Sequence, residues 1–279
     1  HGGLASERYG DLYRAVPGKE LWWSIFENDY KQTETMFRPV LNINIQALPW
    51  LQLSTGGSLN YYAIDGELKA PGSGYANEGG SYALSHTHTT QENLYLAANL
   101  NYQINKDWEV HGFLREEYFN QYAQYNSEST NGGLIVPNQF FIKNSKQQAS
   151  FNAYKFNTKR IVSTIFMIGT SWKNQLFLDI TGRNDWSSAL VYSYGTGNFS
   201  YFYPSVSGSW IITETLKDKL PKWVSFAKVR GSWAQVGNDT SPYYINSGYS
   251  VATYQRGDKK IYGMTIPENM KSTNLKPER

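Results

Sequence analysis

The sequence has no cysteine among its 279 residues, which excludes a fold held by disulfides and a metal site built on thiolates. It contains no run of about 18 consecutive apolar residues, so we expect no membrane-spanning helix. A strand that crosses a bilayer needs an apolar residue only at every second position. The sequence therefore does not exclude a membrane β-barrel. Charged residues make up 18% of the chain and the net charge is +3, which gives no electrostatic case for nucleic-acid binding.

What the chain does have is aromatic residues, at 16%, and long stretches that alternate between apolar and polar residues. In the clearest stretch the apolar positions are Leu94, Leu96, Ala98, Leu100, Tyr102 and Ile104. A period of two places these side chains on one face of a strand and the intervening, more polar residues on the other. Similar patterns predict about eight strands, at 32–47, 51–68, 88–104, 108–126, 156–172, 175–187, 200–214 and 223–237.

The predicted strands are joined alternately by short and by long connections. Tryptophans lie at the four shorter connections: Trp50, Trp108, Trp172 and Trp223. The long connections are 69–87, 127–155, 188–199 and 238–279. This asymmetry is typical of an outer-membrane barrel, whose turns are short on one side only, and tryptophan prefers a membrane interface. The same tryptophans would also suit the hairpin ends of a soluble hydrophobic core.

The polar face of the predicted strands carries Asn, Ser, Gln, Thr and Tyr, and we expect few charges on it. Such a face suits a hydrated lumen. Candidate catalytic groups are scarce. His86 and His88 share a strand face at a spacing that can bind a metal, but no third ligand is near in sequence. Glu116 and Glu117 are adjacent on a strand, so they should point to opposite faces and cannot work as a catalytic pair.

Two polar motifs follow alternating strands at their long-loop ends. They are Arg183–Trp186 and Gly237–Thr240. We expect both to be turns in which Asn and Asp bind their own backbone. The alternative is a contact with a ligand or partner at the mouth of a barrel.

Longer segments carry a family resemblance. Phe177–Ser188, Ser200–Ser207 and, most specifically, Leu220–Thr240 resemble signatures of SusC/RagA-type TonB-dependent outer-membrane transporters. Asn274–Glu278 and, more loosely, Gly132–Pro137 fit the same pattern. The resemblance is dense over about 130–240 and weaker before that.

The resemblance implies an all-β fold, a transmembrane antiparallel β-barrel of about 22 strands that encloses a plug. Residues 1–279 would be part of the barrel domain, with the plug, TonB box, signal sequence and C-terminal strands outside this chain. It further implies the outer membrane of a Gram-negative bacterium, a SusD-like surface lipoprotein as partner, contact with outer-membrane lipid, and import driven by TonB. Neither an enzyme activity nor a cofactor is expected.

The cargo implied is an oligosaccharide, less often a peptide. Candidate cargo contacts are aromatic residues in or beside the long loops: Tyr75, Tyr192, Tyr194, Tyr243 and Tyr244. Three alternatives remain at this point. They are an importer of metal chelates, an outer-membrane barrel hydrolase using His86, His88 or His111, and a soluble, aromatic-rich β-sandwich that binds glycans.

Overall fold

The fold is known from a computed structural model, which describes residues 28–71, 79–216, 219–221, 223–257, 259–266, 271–272 and 275–276. Eleven strands lie in these residues. They are β1 (Asp29–Phe37), β2 (Val40–Leu48), β3 (Leu51–Ala70), β4 (Ser81–Gln103), β5 (Trp108–Leu134), β6 (Ser145–Trp172), β7 (Leu176–Ser187), β8 (Ser200–Ile211), β9 (Lys228–Ala234), β10 (Ser250–Arg256) and β11 (Lys259–Thr265). One short helix, α1 (Ile212–Thr215), follows β8.

Nine of the strands form one sheet. Its order is β1-β3-β4-β5-β6-β7-β8-β9, and β2 pairs with β3 beyond the end of β1. Strands β10 and β11 form a separate antiparallel hairpin. From β3 to β9, neighbours in sequence are thus neighbours in the sheet, as in an up-and-down meander. The all-β antiparallel architecture expected from the sequence is confirmed. The sandwich alternative is wrong for the residues described, because they contain no second large sheet on which this one packs.

The predicted strand at 32–47 is two strands in the structure. Strand β1 pairs with β3 from Asp29↔Lys69 to Phe37↔Tyr61, and β2 pairs with the same strand from Val40↔Ser58 onward. The break falls at Pro39, which has no N–H to give to the ladder. Its carbonyl still accepts a hydrogen bond from the Leu59 N–H, at 3.1 Å, so the pairing resumes at once.

Two predicted long loops are shorter in the structure. Strand β4 begins at Ser81 rather than 88, β5 continues to Leu134 and β6 begins at Ser145. These extensions are rich in Thr, Ser, Asn and Gln, so they lack the apolar alternation that marks a half-buried strand. They are strands because their backbone groups pair with neighbouring strands.

Further along the chain, three boundaries differ from the prediction. Strand β8 ends at Ile211, and the predicted strand at 223–237 is reduced to Lys228–Ala234. The hairpin β10–β11 lies inside the predicted loop 238–279. The connection 188–199 matches its prediction, since β7 ends at Ser187 and β8 begins at Ser200.

The tight turns are specified locally. Lys173 and Asn174, in the three-residue connection between β6 and β7, have positive φ of 53° and 54°, and the Gln175 N–H donates to the Trp172 carbonyl at 2.9 Å. Before β5, the Asn105 side chain accepts hydrogen bonds from the backbone N–H groups of Asp107 and Trp108, at 2.8 and 3.0 Å. Asparagine favours both roles because it tolerates positive φ and its carbonyl oxygen mimics a backbone acceptor.

The chain divides into two compact units. The first comprises the described residues of His1–Pro39, Leu59–Gln91 and Tyr122–Phe156. Within it, the connection 135–144 is organised by Asn144, which is buried. The Asn144 side chain donates to the carbonyls of Val136 and Gln139, at 2.8 and 2.6 Å, and accepts from the Val136 N–H at 2.9 Å. Bonds of this kind replace the ladder where the strands end.

The second unit comprises Val40–Ser58, Glu92–Gln121 and the described residues of Asn157–Arg279. Its strands have one apolar face. Leu96 is 62% exposed, Ile168 60% and Ile180 47%. Other exposed members of this face are Leu41, Ile43, Ile45, Leu94, Ile104, Leu114, Leu176, Leu178, Val206, Trp210 and Val229. Contiguous exposure of this extent marks a surface that contacts something other than water.

No helix within the described residues is long and apolar enough to cross a membrane.

Candidate functional site: a charged pocket on the polar face

The polar face of the second unit contains a cavity of about 810 Å³. Its walls come from four strands, β4 to β7, and from the segment Asn238–Pro242 that follows β9. The charged residues that line it are Arg115, Glu117, Lys159, Arg183 and Asp239. Arg115 and Glu117 share a face of β5 because they lie two residues apart, and Asp239 reaches the cavity from the segment after β9. The cavity is large enough to hold a small ligand.

Arg183 connects three strands at the base of this pocket. Its Nε donates to Asp185 Oδ1 at 2.7 Å, and its Nη2 donates to the Ser163 hydroxyl at 3.0 Å. Its Nη1 lies 3.4 Å from Glu117 Oε2. The same Glu117 carboxylate lies 2.7 Å from Arg115 Nε. Both guanidinium groups are therefore already paired with carboxylates on the strands.

The Arg115 guanidinium also lies over the ring of Tyr95, 4.0 Å from its centroid. The Tyr95 hydroxyl donates to Asn42 Oδ1 at 2.9 Å. A cation on an aromatic face is favourable, and the hydroxyl bond fixes the ring. These contacts hold Arg115 in one orientation beside the cavity.

A second ionic contact involves the segment after β9. Lys159 Nζ donates to Asp239 Oδ1 at 2.6 Å, and the Ser187 hydroxyl donates to Asp239 Oδ2 at 2.5 Å. Ser187 is 1% exposed, and the side chains of Lys159 and Asp239 are 18% and 8% exposed. Each carboxylate oxygen thus has its own donor in a largely desolvated place.

The expectation of turns at the two polar motifs is wrong. Residues 183–186 lie inside β7, where Arg183 and Asp185 share the polar face. In 237–240, the Asp239 carboxylate binds residues of β6 and β7 rather than its own backbone. The expected opposite orientation of Glu116 and Glu117 is confirmed. Glu116 accepts from the Thr164 hydroxyl at 2.8 Å, whereas Glu117 binds the two arginines.

The expectation of a polar face with few charges is also wrong around this pocket. The missed signal was the spacing of the charged residues. Arg115 and Glu117 are two apart, as are Arg183 and Asp185, so each pair shares a strand face. The approach of Lys159 to Asp239 had no local signal, because 80 residues separate them.

The tyrosines predicted as cargo contacts have different environments. Tyr192 is buried and stacks on Tyr194, with ring centroids 5.3 Å apart and planes 6° apart. The Tyr192 hydroxyl donates to the Ser272 carbonyl and accepts from the Leu275 N–H, at 3.0 and 2.9 Å. Tyr194 is 65% exposed. Tyr75 lies outside the described residues.

Tyr243 and Tyr244 are both exposed and are tied to the same loop region. Lys271 Nζ donates to the carbonyls of Tyr243 and Asn246, at 3.0 and 2.8 Å, and lies 5.7 Å from the centre of the Tyr244 ring. The Asn246 side chain accepts from the Ser193 N–H at 2.8 Å. The structure therefore brings together four of the five predicted tyrosines, in two connected loops.

The histidines have carboxylate or aromatic partners. His86 Nδ1 lies 2.8 Å from Asp65 Oδ1, a carboxylate that the local sequence did not reveal. His88 stacks on Tyr61 and meets Tyr122 edge-on. His111 Nε2 lies 3.2 Å from Asp179, which also accepts from the Ser207 hydroxyl at 3.4 Å. Here the carboxylate lies between the serine and the imidazole, so His111 is not placed to take a proton from Ser207.

Among the residues with described positions, no three His, Asp or Glu side chains cluster as metal ligands do. The chemistry that the pocket offers is recognition: paired cations, carboxylates and hydroxyls around a cavity, with aromatic rings close by.

Comparison with solved structures identifies the architecture. The chain is similar to a chain of the RagAB peptide transporter, with a TM-score of 0.76 and 14% identity over 90% of this chain and 28% of that one. It also matches the RagAB peptide importer in the "open-open" state, with a TM-score of 0.75 and 16% identity over 96% of this chain and 29% of that one. The "closed-closed" state gives a TM-score of 0.74 and 15% identity over 90% and 27%.

The chain thus spans between a quarter and a third of the length of the chains that it matches. No protein-family profile matches the sequence, and no curated protein matches it either. The solved neighbours are transporters, and RagA is of the SusC type. The resemblance seen in the sequence is therefore confirmed at the level of the fold: this chain folds as a section of the β-barrel of a SusC/RagA-type transporter.

Proposed function

We propose that this chain forms part of the barrel wall of a TonB-dependent importer in the outer membrane of a Gram-negative bacterium. The observation that carries the proposal is the division of the second unit into two faces. One face exposes a continuous set of large apolar side chains, and the other carries hydrogen-bonded, ion-paired residues around a cavity. A barrel wall needs this division because it borders lipid on the outside and water within. All of residues 1–279 belong to the barrel domain in this proposal.

The proposed importer works with a SusD-like surface lipoprotein and receives energy from TonB through parts of the transporter outside this chain. Support comes from the fold, since the RagAB neighbours share it. The tyrosines of the long loops, Tyr75, Tyr194, Tyr243 and Tyr244, are the proposed cargo contacts, with Tyr192 as the buried platform beneath Tyr194. Aromatic faces of this kind suit sugar rings as well as peptide side chains.

The cargo we propose is an oligosaccharide, with a peptide as the second candidate. The resemblance in the sequence favours the first, because oligosaccharides are the cargo that it chiefly implies, and the exposed tyrosines can cover the apolar faces of sugars. The charged pocket favours the second, because a cavity lined by both cations and carboxylates suits the charged and amide groups of a peptide, which neutral sugars lack. A metal chelate is the third possible cargo, and the test below distinguishes it from the other two.

The test is to isolate the complete transporter from outer membranes in mild detergent and to identify by mass spectrometry what copurifies. A lipoprotein at equal stoichiometry, with bound oligosaccharide or peptide, is the expected result. Recovery without detergent from the soluble fraction would contradict the proposal. A retained chelate would keep the importer and replace the cargo.

A further inference from the structure

The proposed function does not account for the position of Asp239, whose carboxylate is bound by two donors. This residue belongs to the segment after β9, where only Asn238 forms a bridge with another strand. Its carboxylate nevertheless reaches two donors on the strands, Lys159 of β6 and Ser187 at the end of β7. Strands β6 and β7 therefore carry, at the edge of the pocket, the donors needed to hold a carboxylate.

These donors differ from the two arginines. Arg115 and Arg183 are neutralised by Glu117 and Asp185, which are residues of strands β5 and β7. Lys159 has no second ion-pair partner among the described residues, and its only carboxylate comes from the loop segment. If the segment moves away, a largely buried ammonium group is left unpaired, which is costly. Another carboxylate would then be drawn to it.

The Lys159–Asp239 contact also lies where a ligand can reach it. Lys159, Asp239 and the neighbouring residues Asn238 and Thr240 line the cavity of about 810 Å³. A molecule bound in that cavity would therefore contact Lys159. Such a molecule competes with Asp239 for the Lys159 ammonium group, whereas the buried Ser187 hydroxyl can reach it only after Asp239 has left.

We propose that Lys159 and Ser187 form a carboxylate-binding subsite for cargo, which Asp239 occupies when cargo is absent. The inference rests on the proposed function, because it assumes that the polar face meets cargo. Displacement of Asp239 also frees the segment Asn238–Pro242, so cargo that carries a carboxylate opens the pocket as it binds. The carboxylate can come from a peptide C-terminus or from an acidic sugar.

The experiment is isothermal titration calorimetry on the complete transporter in detergent, with two matched pairs of probes. One pair is a hexapeptide with a free C-terminal carboxylate and the same peptide as its C-terminal amide. The other is an oligogalacturonate and its methyl ester. In Asp239→Asn the internal competitor is lost, and we expect the acidic member of at least one pair to bind about tenfold more tightly than to the wild type. The neutral members should be unchanged.

The second variant, Lys159→Gln in the Asp239→Asn background, should abolish this gain. Asp65→Asn is the matched control, because it removes another aspartate with a side-chain partner, His86, in the first unit. It should not alter the affinities. Thermal unfolding of each variant shows whether the barrel is intact.

The pair of probes that responds identifies the source of the carboxylate. If Asp239→Asn gives no preference for either acidic probe over its neutral partner, the subsite is wrong. This failure is separate from a failure of the proposed function, which would show as recovery of the wild-type protein outside the outer membrane.

Discussion

Arg183 stabilises the polar pocket through three strands, because its guanidinium group binds side chains on β5, β6 and β7. We predict that Arg183→Ala lowers the free energy of unfolding by about 1–3 kcal/mol. The physical reason is that Asp185, whose side chain is 11% exposed, would lose its charged donor. Arg183→Lys should recover only part of the loss, since an ammonium group cannot reproduce the fork of the guanidinium.

The measurement is urea unfolding of the complete transporter in detergent. Arg230→Ala is the control, because Arg230 is an exposed arginine of β9, two strands away in the same sheet. Its removal should change the free energy of unfolding by less than about 0.5 kcal/mol. An equal loss in the two variants would show that general charge, and not the Arg183 contacts, matters.

Tyr82 gives a prediction about pH in the first unit. It lies at the loop end of β4, far along the strand from the apolar stretch 94–104. Burial, and then the hydrogen bond to Glu67 at 2.8 Å, raise the pKa of Tyr82 to about 12. The hydrogen bond from Tyr82, followed by that from Lys69, lowers the pKa of Glu67.

The sign follows from these directions. Because its pKa is raised, Tyr82 contributes stability below its ordinary pKa near 10, and the contribution disappears as pH rises through about 12. Glu67 contributes above its ordinary value of 4.5, and its contribution disappears as pH falls through the lowered value. We expect alkaline titration at 295 nm to lose one tyrosine titrating near 12 in Tyr82→Phe.

In Glu67→Gln the pKa of Tyr82 should fall but stay above 10, because burial is the larger cause. A Tyr82 that titrates at its ordinary pKa in the wild type would contradict the buried hydrogen bond.

At the scale of elements, the hairpin β10–β11 is the piece whose removal should matter least to the sheet. Within the part of the chain that the structure describes, its strands pair only with each other, from Ser250↔Thr265 to Arg256↔Lys259. We predict that replacing residues 250–265 with a short Gly/Ser linker leaves the heat stability and membrane insertion of the transporter unchanged. Replacing residues 200–211 in the same way removes β8, which pairs with both β7 and β9, and should abolish folding. Outer-membrane fractionation and thermal unfolding measure both.

The elements also show how far the sequence predicts the fold. Strand β7 was predicted almost to the residue, and β8 was predicted correctly at its start, because Leu178, Ile180 and Val206 alternate with polar neighbours. The extensions of β5 and β6 were missed because both of their faces are polar, so pairing rather than burial defines them. The break at Pro39 was visible in the sequence, yet alternation runs through it, since β1 and β2 pair with one strand.

The candidate site was predicted less well than the fold. Four of the five tyrosines lie in loops, as composition and loop length indicated, but the meeting of these loops was not predicted, and cargo contact by the tyrosines stays a prediction. The charged pocket was missed because it depends on contacts between distant segments, such as Lys159 with Asp239. Those contacts follow from the register of β6 and β7, which no local pattern reveals.

At the scale of the whole molecule, an added charge should prevent membrane insertion on one face of the barrel wall and be tolerated on the other. Val206 and Ser207 are adjacent in β8. Val206 pairs with Ile180 and Trp233 on the apolar face, whereas Ser207 pairs with Asp179 and Ser232 on the polar face. An arginine on a lipid-facing position costs about 2–4 kcal/mol at the bilayer midplane. On the polar face an arginine at 207 stays in water and lies beside the Asp179 carboxylate.

We therefore predict that Val206→Arg sharply reduces the amount of folded transporter in the outer membrane, while Ser207→Arg leaves it near the wild-type level. Quantitative blotting of outer-membrane fractions measures this, and the two variants are matched in strand, depth and added charge. A soluble protein would tolerate both, because Val206 is already 38% exposed and an arginine there would reach water. Equal amounts of the two variants in the outer membrane would thus show that the apolar face does not border lipid, even though the chain shares the fold of the solved transporters. The opposite ranking would place lipid on the face of the charged pocket and would remove the basis for cargo binding there.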